Sequence, residues 1–351
     1  MAKRPNGPVS ALIVAVPETA GSALYGMVDV LSVTGNLWEV MNGTGDERKL
    51  FDTHIVARST ESFLCRHSIP VKPDISIHDD PSADIVILLE IWLRPEDSLK
   101  GRYDDLMEWL RACYRRGTSI YSACSGSIML AESGLLNGRH ATSHWGYEEL
   151  FQREYPRVKF EATPNICFAD AEGRIVTAGG VMSWHDLAIH IIARHCSPGE
   201  AVNIAKAYLL KWHGEGQLPY TNLMRRRHHT DSVVRVCERW LEKNFRCQGA
   251  VAAVARESGI PERSLKRRFL AATGVTLMEH VQRLRMENAK RLLETSAKSI
   301  DEISTEVGYK ETAFFRRLFK RNTGLTPTEY RKMFTPDEVS ARLRRGEQGN
   351  A

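Results

Sequence analysis

The sequence predicts two domains: a parallel α/β sheet sandwiched by helices, then an all-α domain carrying two helix-turn-helix units. Three observations predict this. Short β-rich apolar runs alternate with helical patterns up to Trp212 and then nearly vanish. Two stretches of the last third, Val254–Thr276 and Ile303–Thr326, repeat one pattern. That same third is basic, with 27 Lys and Arg against 15 Asp and Glu between Arg225 and Arg345, while the rest of the chain is net acidic. A basic module on an acidic domain points to nucleic-acid binding beside some other task. At 351 residues the chain is long enough for both.

In chain order, Ala11–Pro17 reads as a buried strand and Tyr25–Val33 as the helix after it. Ile85–Leu89 is a second strand. Tyr103–Arg115 has helical spacing at Leu106, Trp109, Leu110 and Cys113, and Ser119–Ala123 follows as a strand. Ile128–Leu136 is helical, Arg174–Thr177 a strand and Trp184–Ala193 a helix. Hydrophobic strands alternating with helices imply a parallel sheet covered on both faces. The pattern breaks over Trp212–Arg227, where Gly214, Gly216 and Pro219 cluster. The expected boundaries are therefore a sensor domain over 8–212, a linker over 213–230, a DNA-binding domain over 231–335 and a polar tail over 336–351. Within the linker, Arg225–Arg227 with His228 and His229 form a basic run, readable as a solvated tether or as a phosphate contact. Val233–Phe245 is an amphipathic helix, and Met278–Glu294 a long one with apolar Val281, Leu284, Ala289, Leu292 and Leu293.

Several classes are excluded. The longest early apolar run, Ala11–Val16, is far below the ~18 residues of a spanning helix. It also lacks a signal-peptide pattern, so a cytoplasmic protein with no membrane partner is expected. Cys65, Cys113, Cys124, Cys167, Cys196, Cys237 and Cys247 are scattered, odd in number and never paired as C-x-x-C. This argues against a disulfide framework and a zinc site, and neither metal nor cofactor is expected.

The repeat carries the functional argument. In each copy a short helix ends at a glycine (Gly259, Gly308), a basic helix follows, and Thr-Gly closes it (Thr273-Gly274, Thr323-Gly324). A helix-turn-helix needs this order: glycine lets the chain leave the first helix in a left-handed conformation. Ser264 or Glu262, and Glu311 or Thr312, are the expected N-caps. Leu265 and Phe269 in one unit, Phe315 and Phe319 in the other, form the docking face. The free face carries Arg263, Lys266 and Arg267 in the first unit, and Thr312, Arg316, Arg317 and Lys320 in the second. Arg and Lys read guanine edges or neutralise phosphate, so double-stranded DNA is the expected partner. Two such helices on one rigid domain would enter successive major grooves, ~34 Å apart.

Residues Val233–Phe334 resemble the DNA-binding domain of AraC/XylS-type regulators. The match rests on Gly308, Tyr309, Phe315, Arg317, Phe319, Gly324, Thr326, Pro327, Tyr330 and Arg331. The resemblance places Arg263, Lys266 and Arg267, and Thr312, Ala313 and Arg317, at base-facing positions. It makes Tyr309, Phe315, Phe319, Pro327 and Tyr330 core or capping residues.

Upstream, Tyr121–Ser127 (YSACSGS) lies between a strand and a helix, as a nucleophile elbow does, with Cys124 at its apex. A helix N-terminus there is expected to lower the thiol pKa, with His144 as a possible base. The stretch from Ser122 to Trp145 resembles the PfpI-like members of the class I glutamine amidotransferase superfamily, in the version fused ahead of AraC-type domains. The resemblance covers Ser10 to Leu210 and implies a flavodoxin-like sheet. It also implies a partner glutamate for the elbow cysteine, and that position falls on Ala23, with Glu18 nearby but outside the motif. Catalysis is therefore not expected. Cys124 and His144 read as relics lining an effector pocket or as structural residues, with a cysteine hydrolase, a glyoxalase-like enzyme or a thiol redox sensor as the alternative. The carboxyl ends of the strands would hold the effector, between Tyr25, Trp92, Cys124, His144, Trp145 and Trp184. Those aromatics suit a cationic ligand, or equally core and interface packing. The expected protein is a transcriptional regulator controlled by a small-molecule effector, homodimeric by resemblance, with RNA polymerase as a further partner.

Overall fold

The computed structural model describes residues 7–43, 48–94, 97–224 and 229–335. The basic run over 225–228 and the tail beyond Thr335 lie outside the described residues. The chain divides into two compact units between Gln217 and Leu218.

The N-terminal unit contains strands β1 (Val9–Val14), β2 (Phe51–Ala57), β3 (Phe63–Cys65), β4 (Ile69–Val71), β5 (Ile75–Ser76), β6 (Ile85–Leu88), β7 (Ser119–Ala123), β8 (His140–Ala141), β9 (Lys159–Phe160), β10 (Ile166–Phe168) and β11 (Ile175–Ala178). Its α-helices are α1 (Gly21–Ser32), α2 (Leu37–Asn42), α3 (Asp104–Arg115), α4 (Gly126–Glu132), α5 (Glu148–Glu154), α6 (Trp184–His195) and α7 (Pro198–Ala207). Seven strands form one sheet in the order β10-β11-β7-β6-β1-β2-β5, all parallel except the antiparallel edge strand β10. Every residue of β6, β7 and β11 is buried, as a sheet covered on both faces demands. One core layer packs Leu24, Met27, Leu187 and Ile191 of α1 and α6 against the sheet. The opposite layer uses Leu106 and Leu110 of α3 with Ile128 and Leu130 of α4.

Each expected strand and helix of this unit is present, with ends shifted by a few residues. Sequence reading missed β2, whose FDTHIVA interleaves polar residues that stay half-buried near the sheet edge. It also missed α7, which starts at a proline and is capped by Ser197 Oγ accepting from Glu200 N at 3.1 Å.

The C-terminal unit is helical: α8 (Ser232–Asn244), α9 (Ala250–Ser258), α10 (Glu262–Thr273), α11 (Leu277–Thr295), α12 (Ile300–Glu306), α13 (Thr312–Thr323) and α14 (Pro327–Phe334). Two apolar cores organise it. Val234, Leu241, Val254, Leu265 and Phe269 meet Val281 from the first half of α11. Leu293 from its second half joins Ile303, Phe315, Phe319 and Tyr330. One continuous helix thus belongs to both cores, and capping boxes at Thr276–Glu279 and Thr326–Glu329 fix the starts of α11 and α14.

Glu311 takes the N-cap position expected of it on α13, whereas Ser264 and Glu262 are corrected: Pro261 takes that position on α10. Helix α10 begins after Pro261 and α13 after Glu311, and neither residue makes a side-chain capping bond. The fixed φ of Pro261 presets the entry into α10, and the first N–H groups of both helices are left without a side-chain cap.

Candidate nucleic-acid interface and elbow site

Helices α9 and α10 form the first helix-turn-helix unit, α12 and α13 the second. Gly259 and Gly308 turn the chain at φ +65° and +94°; a Cβ on Gly308 would lie 2.6 Å from the Arg246 carbonyl oxygen, so the second turn admits no side chain. Leu265 and Phe269 anchor α10, and Phe315, Leu318 and Phe319 anchor α13. Arg263, Lys266 and Arg267 are exposed on α10, at the i, i+3, i+4 spacing of one face. On α13, Ala313, Arg316, Arg317 and Lys320 are exposed and Thr312 is half-buried. Among the described residues Arg263, Arg267 and Arg316 form no ion pair, which leaves them available to phosphate or base. Lys266 differs: its Nζ is 2.5 Å from Glu262 Oε1, an exposed pair one helical turn apart that competes with DNA for the ammonium. Sequence reading missed Phe314, an exposed aromatic on the same helix whose ring lies 6.0 Å from the Arg317 guanidinium carbon.

In the N-terminal unit Cys124 stands at the end of β7 with φ +52°, the strained left-handed turn of an elbow. Gly126 makes the turn possible, since a Cβ there would sit 2.3 Å from the Leu88 carbonyl oxygen. The Cys124 carbonyl accepts the hydroxyls of Ser127 and Ser143, each at 2.7 Å.

The thiol chemistry reverses the expectation. Cys124 is buried and its thiol is pushed up to about 12, first by burial and then by the charge of Glu90; Ser125 and the His144 backbone N–H oppose this without prevailing. Loss of solvation exceeds what the helix terminus offers. His144 spends Nδ1 accepting the Gly146 N–H at 2.9 Å and stacks on Trp145 at 4.8 Å. Ala23 is fully buried, and Glu18 accepts from Arg102 at 2.7 Å and from the Tyr103 hydroxyl.

The order of the sheet reverses around β1, between β1 and β6, where ligands of open α/β sheets bind. Here the two strand ends are zipped together. Thr19 and Ile91 form a β-bridge, Ala20 N donates to Glu90 O and Trp92 N to Glu18 O. Ser125 Oγ closes the seam, accepting from Ile91 N at 2.9 Å and donating to Ile91 O at 2.6 Å. Glu90, whose carbonyl is part of this seam, is 5% exposed, and burial raises its carboxyl from 4.5 to about 7.

A carboxyl whose folded pKa is raised binds its proton more tightly in the native state. Its stabilising share is complete below about 4.5 and disappears as pH rises through about 7. Relative to Glu90→Gln, the wild-type N-terminal unit should lose up to ~3 kcal/mol between pH 4.5 and 8. Denaturant unfolding at both pH values checks this; parallel pH profiles for the two proteins would show that Glu90 ionises freely in the fold.

Cys124, His144 and Trp145 cluster at the elbow. Tyr25 donates to Pro70 O at 2.7 Å. Trp92 is half-exposed on the zipped loop, edge-on to His67 at 5.4 Å. Trp184 is corrected to a core position, buried so close to α1 that a Cβ on Gly26 would lie 2.5 Å from its ring.

Sequence reading also missed Gln217, within the expected linker. It is 3% exposed, with its carboxamide set among Thr142, Ser143 and Trp145 beside the elbow. Only Gly214 and Gly216 signalled it, and they read as linker.

Fold and site together define a helix-turn-helix regulator architecture joined to an elbow-bearing α/β domain. Residues 254–333 match the helix-turn-helix domain family model, and residues 34–194 match the DJ-1/PfpI family. The chain carries a DJ-1/PfpI-family domain followed by an AraC-type helix-turn-helix domain. It is similar to the HTH-type transcriptional regulator CdhR of Pseudomonas aeruginosa, 25% identical over 295 residues, covering 80% of this chain and 82% of the relative. It is also similar to the HTH-type transcriptional regulator GlxA of Rhizobium meliloti, 28% identical over 225 residues, covering 64% and 68%. Among solved structures, DJ-1beta of Drosophila melanogaster aligns at TM-score 0.47 and 17% identity over 59% of this chain and all of that one. No helix among the described residues is long and apolar enough to cross a membrane.

Proposed function

We propose that the protein is a sequence-specific DNA-binding transcriptional regulator, cytoplasmic and dimeric, whose N-terminal unit binds a small metabolite and thereby sets its affinity for a promoter. The observation that carries the reading is the pair of basic helices, α10 and α13, each held on its own apolar core and joined through α11. Duplicated recognition elements on one helical scaffold suit two successive major grooves. The DNA-facing residues are Arg263, Lys266, Arg267, Thr312, Ala313, Arg316, Arg317 and Lys320. RNA polymerase is a further partner open to a regulator bound at a promoter.

Effector control is supported by the N-terminal unit, which keeps the elbow geometry while its thiol is buried and held protonated. That suits a binding site better than a nucleophile, because the thiolate is the reactive species. The effector must favour one state over another, since only differential affinity shifts DNA binding. Genome-wide mapping of DNA bound by the native protein tests the reading, with the Arg267→Ala/Arg317→Ala chain as control. Discrete sites lost in the control are expected; their absence from the native map would overturn it.

A further inference from the structure

The segment leading into the DNA-binding unit is fastened to the elbow. Gln217, the last residue of the N-terminal unit, is 3% exposed. Its Nε2 lies 3.1 Å from Thr142 Oγ1, 2.9 Å from the Ser143 carbonyl and 3.2 Å from the Pro164 carbonyl. Its Oε1 accepts from Trp145 N at 3.2 Å, and its own N–H donates to Thr163 O at 2.9 Å. Gly179, after β11, leaves room: a Cβ there would sit 2.4 Å from the Gln217 carboxamide.

Four residues earlier a second fastening is made. The His213 N–H and Nδ1 each lie 2.9 Å from the oxygens of Asp186, a fully buried carboxylate of α6 that also accepts from Asn165 at 2.8 Å. A flexible tether would leave such groups in water. Here a buried donor-and-acceptor socket has been built for one side chain, at the point where the N-terminal unit ends.

The socket is continuous with the elbow. Ser143 offers its carbonyl to Gln217 and its hydroxyl to the Cys124 carbonyl. His144 and Trp145 follow directly, the first with its backbone N–H toward the Cys124 sulfur and the second bonded to Gln217. Any ligand that moves residues 142–145 must disturb the bonds holding Gln217. We propose that His213–Gln217 is a latch: seated, it holds the lead-in to the DNA-binding unit in one state, and its release is the step by which effector binding at the elbow alters DNA binding. The proposal rests on the effector-control reading and names the element through which that control passes.

Two substitutions test it in the full-length chain. Gln217→Glu places a carboxylate oxygen against the Thr142, Ser143 and Pro164 oxygens, and Gln217→Ala removes the contacts without adding charge. Hydrogen exchange over residues 213–217 should rise at least about tenfold in both. Affinity for an operator found by the genome map should change at least about fivefold in ligand-free protein, the lower end of typical coupling. Thermal unfolding of the N-terminal unit is followed in parallel, so that a variant that fails to fold is recognised and the other decides. Faster exchange with unchanged operator affinity would make the socket structural only and overturn the latch. Unchanged exchange in both variants would overturn it too. A wild-type protein that binds no discrete DNA sites brings down the regulator reading itself, and that failure is visible without either variant.

Discussion

Arg267→Ala combined with Arg317→Ala should weaken operator binding by about 2 to 6 kcal/mol, roughly 30- to 20,000-fold. The two side chains are exposed on different recognition helices, and those helices rest on separate cores. They share no partner, so the losses of the single variants should add. Each single variant should also relax sequence preference at the base step it contacts, whereas loss of a phosphate contact would weaken all sequences alike. Lys266→Ala should cost less, because its ammonium is already paired with Glu262. Titration of each variant against wild-type and point-mutated operators measures these effects. Full affinity and specificity in the double variant would mean that another face of the domain meets DNA.

Phe319→Ala should destabilise the second helix-turn-helix unit by about 3–5 kcal/mol, the cost of truncating a fully buried phenylalanine. Its ring is completely buried, 5.8 Å from that of Phe315 and edge-on to Tyr330 at 5.4 Å. The Tyr330 hydroxyl in turn donates to Glu294 on α11 at 2.7 Å, so the cavity would open at the point where α13, α14 and α11 meet. A loss of this size is a large share of a domain's stability. Denaturant unfolding followed by far-ultraviolet circular dichroism separates it from the arginine pair: the arginine variants should unfold like wild type, and Phe319→Ala should not. A destabilisation below about 1 kcal/mol would place α13 outside the cooperative core.

These two predictions concern the part of the molecule that was legible from local sequence. The helix periods, Gly259 and Gly308 at the turns, and the docking residues Leu265, Phe269, Phe315 and Phe319 all lie within short windows. An exposed basic face follows once the apolar face is docked. The buried strand Ile85–Leu88 was legible for the same reason, as a continuous apolar run, and Ser119–Ala123 as a short stretch between two helical patterns. Strand β2 was not, because the consecutive polar residues Asp52, Thr53 and His54 break its apolar run and stay half-buried where β5 no longer pairs with it.

The elbow region marks the limit. Sequence by itself determined that Cys124 sits on a turn between strand and helix, and Ser122 and Gly126 dictate that locally. Tertiary structure alone decided that the thiol is buried and held protonated, that Glu90 lies near it, and that Trp184 is core. It also decided that a stretch rich in glycine is in part a fastened segment. Each of these depends on groups far apart in the chain: Ser125 closes on Ile91 at a separation of 34 residues, and Gln217 reaches Thr142 across 75. Helix and strand period are set by neighbours two to four positions away, so a sequence displays them. Desolvation and hydrogen-bond partnership are set by whatever the fold brings alongside, and that exists only once the sheet has closed.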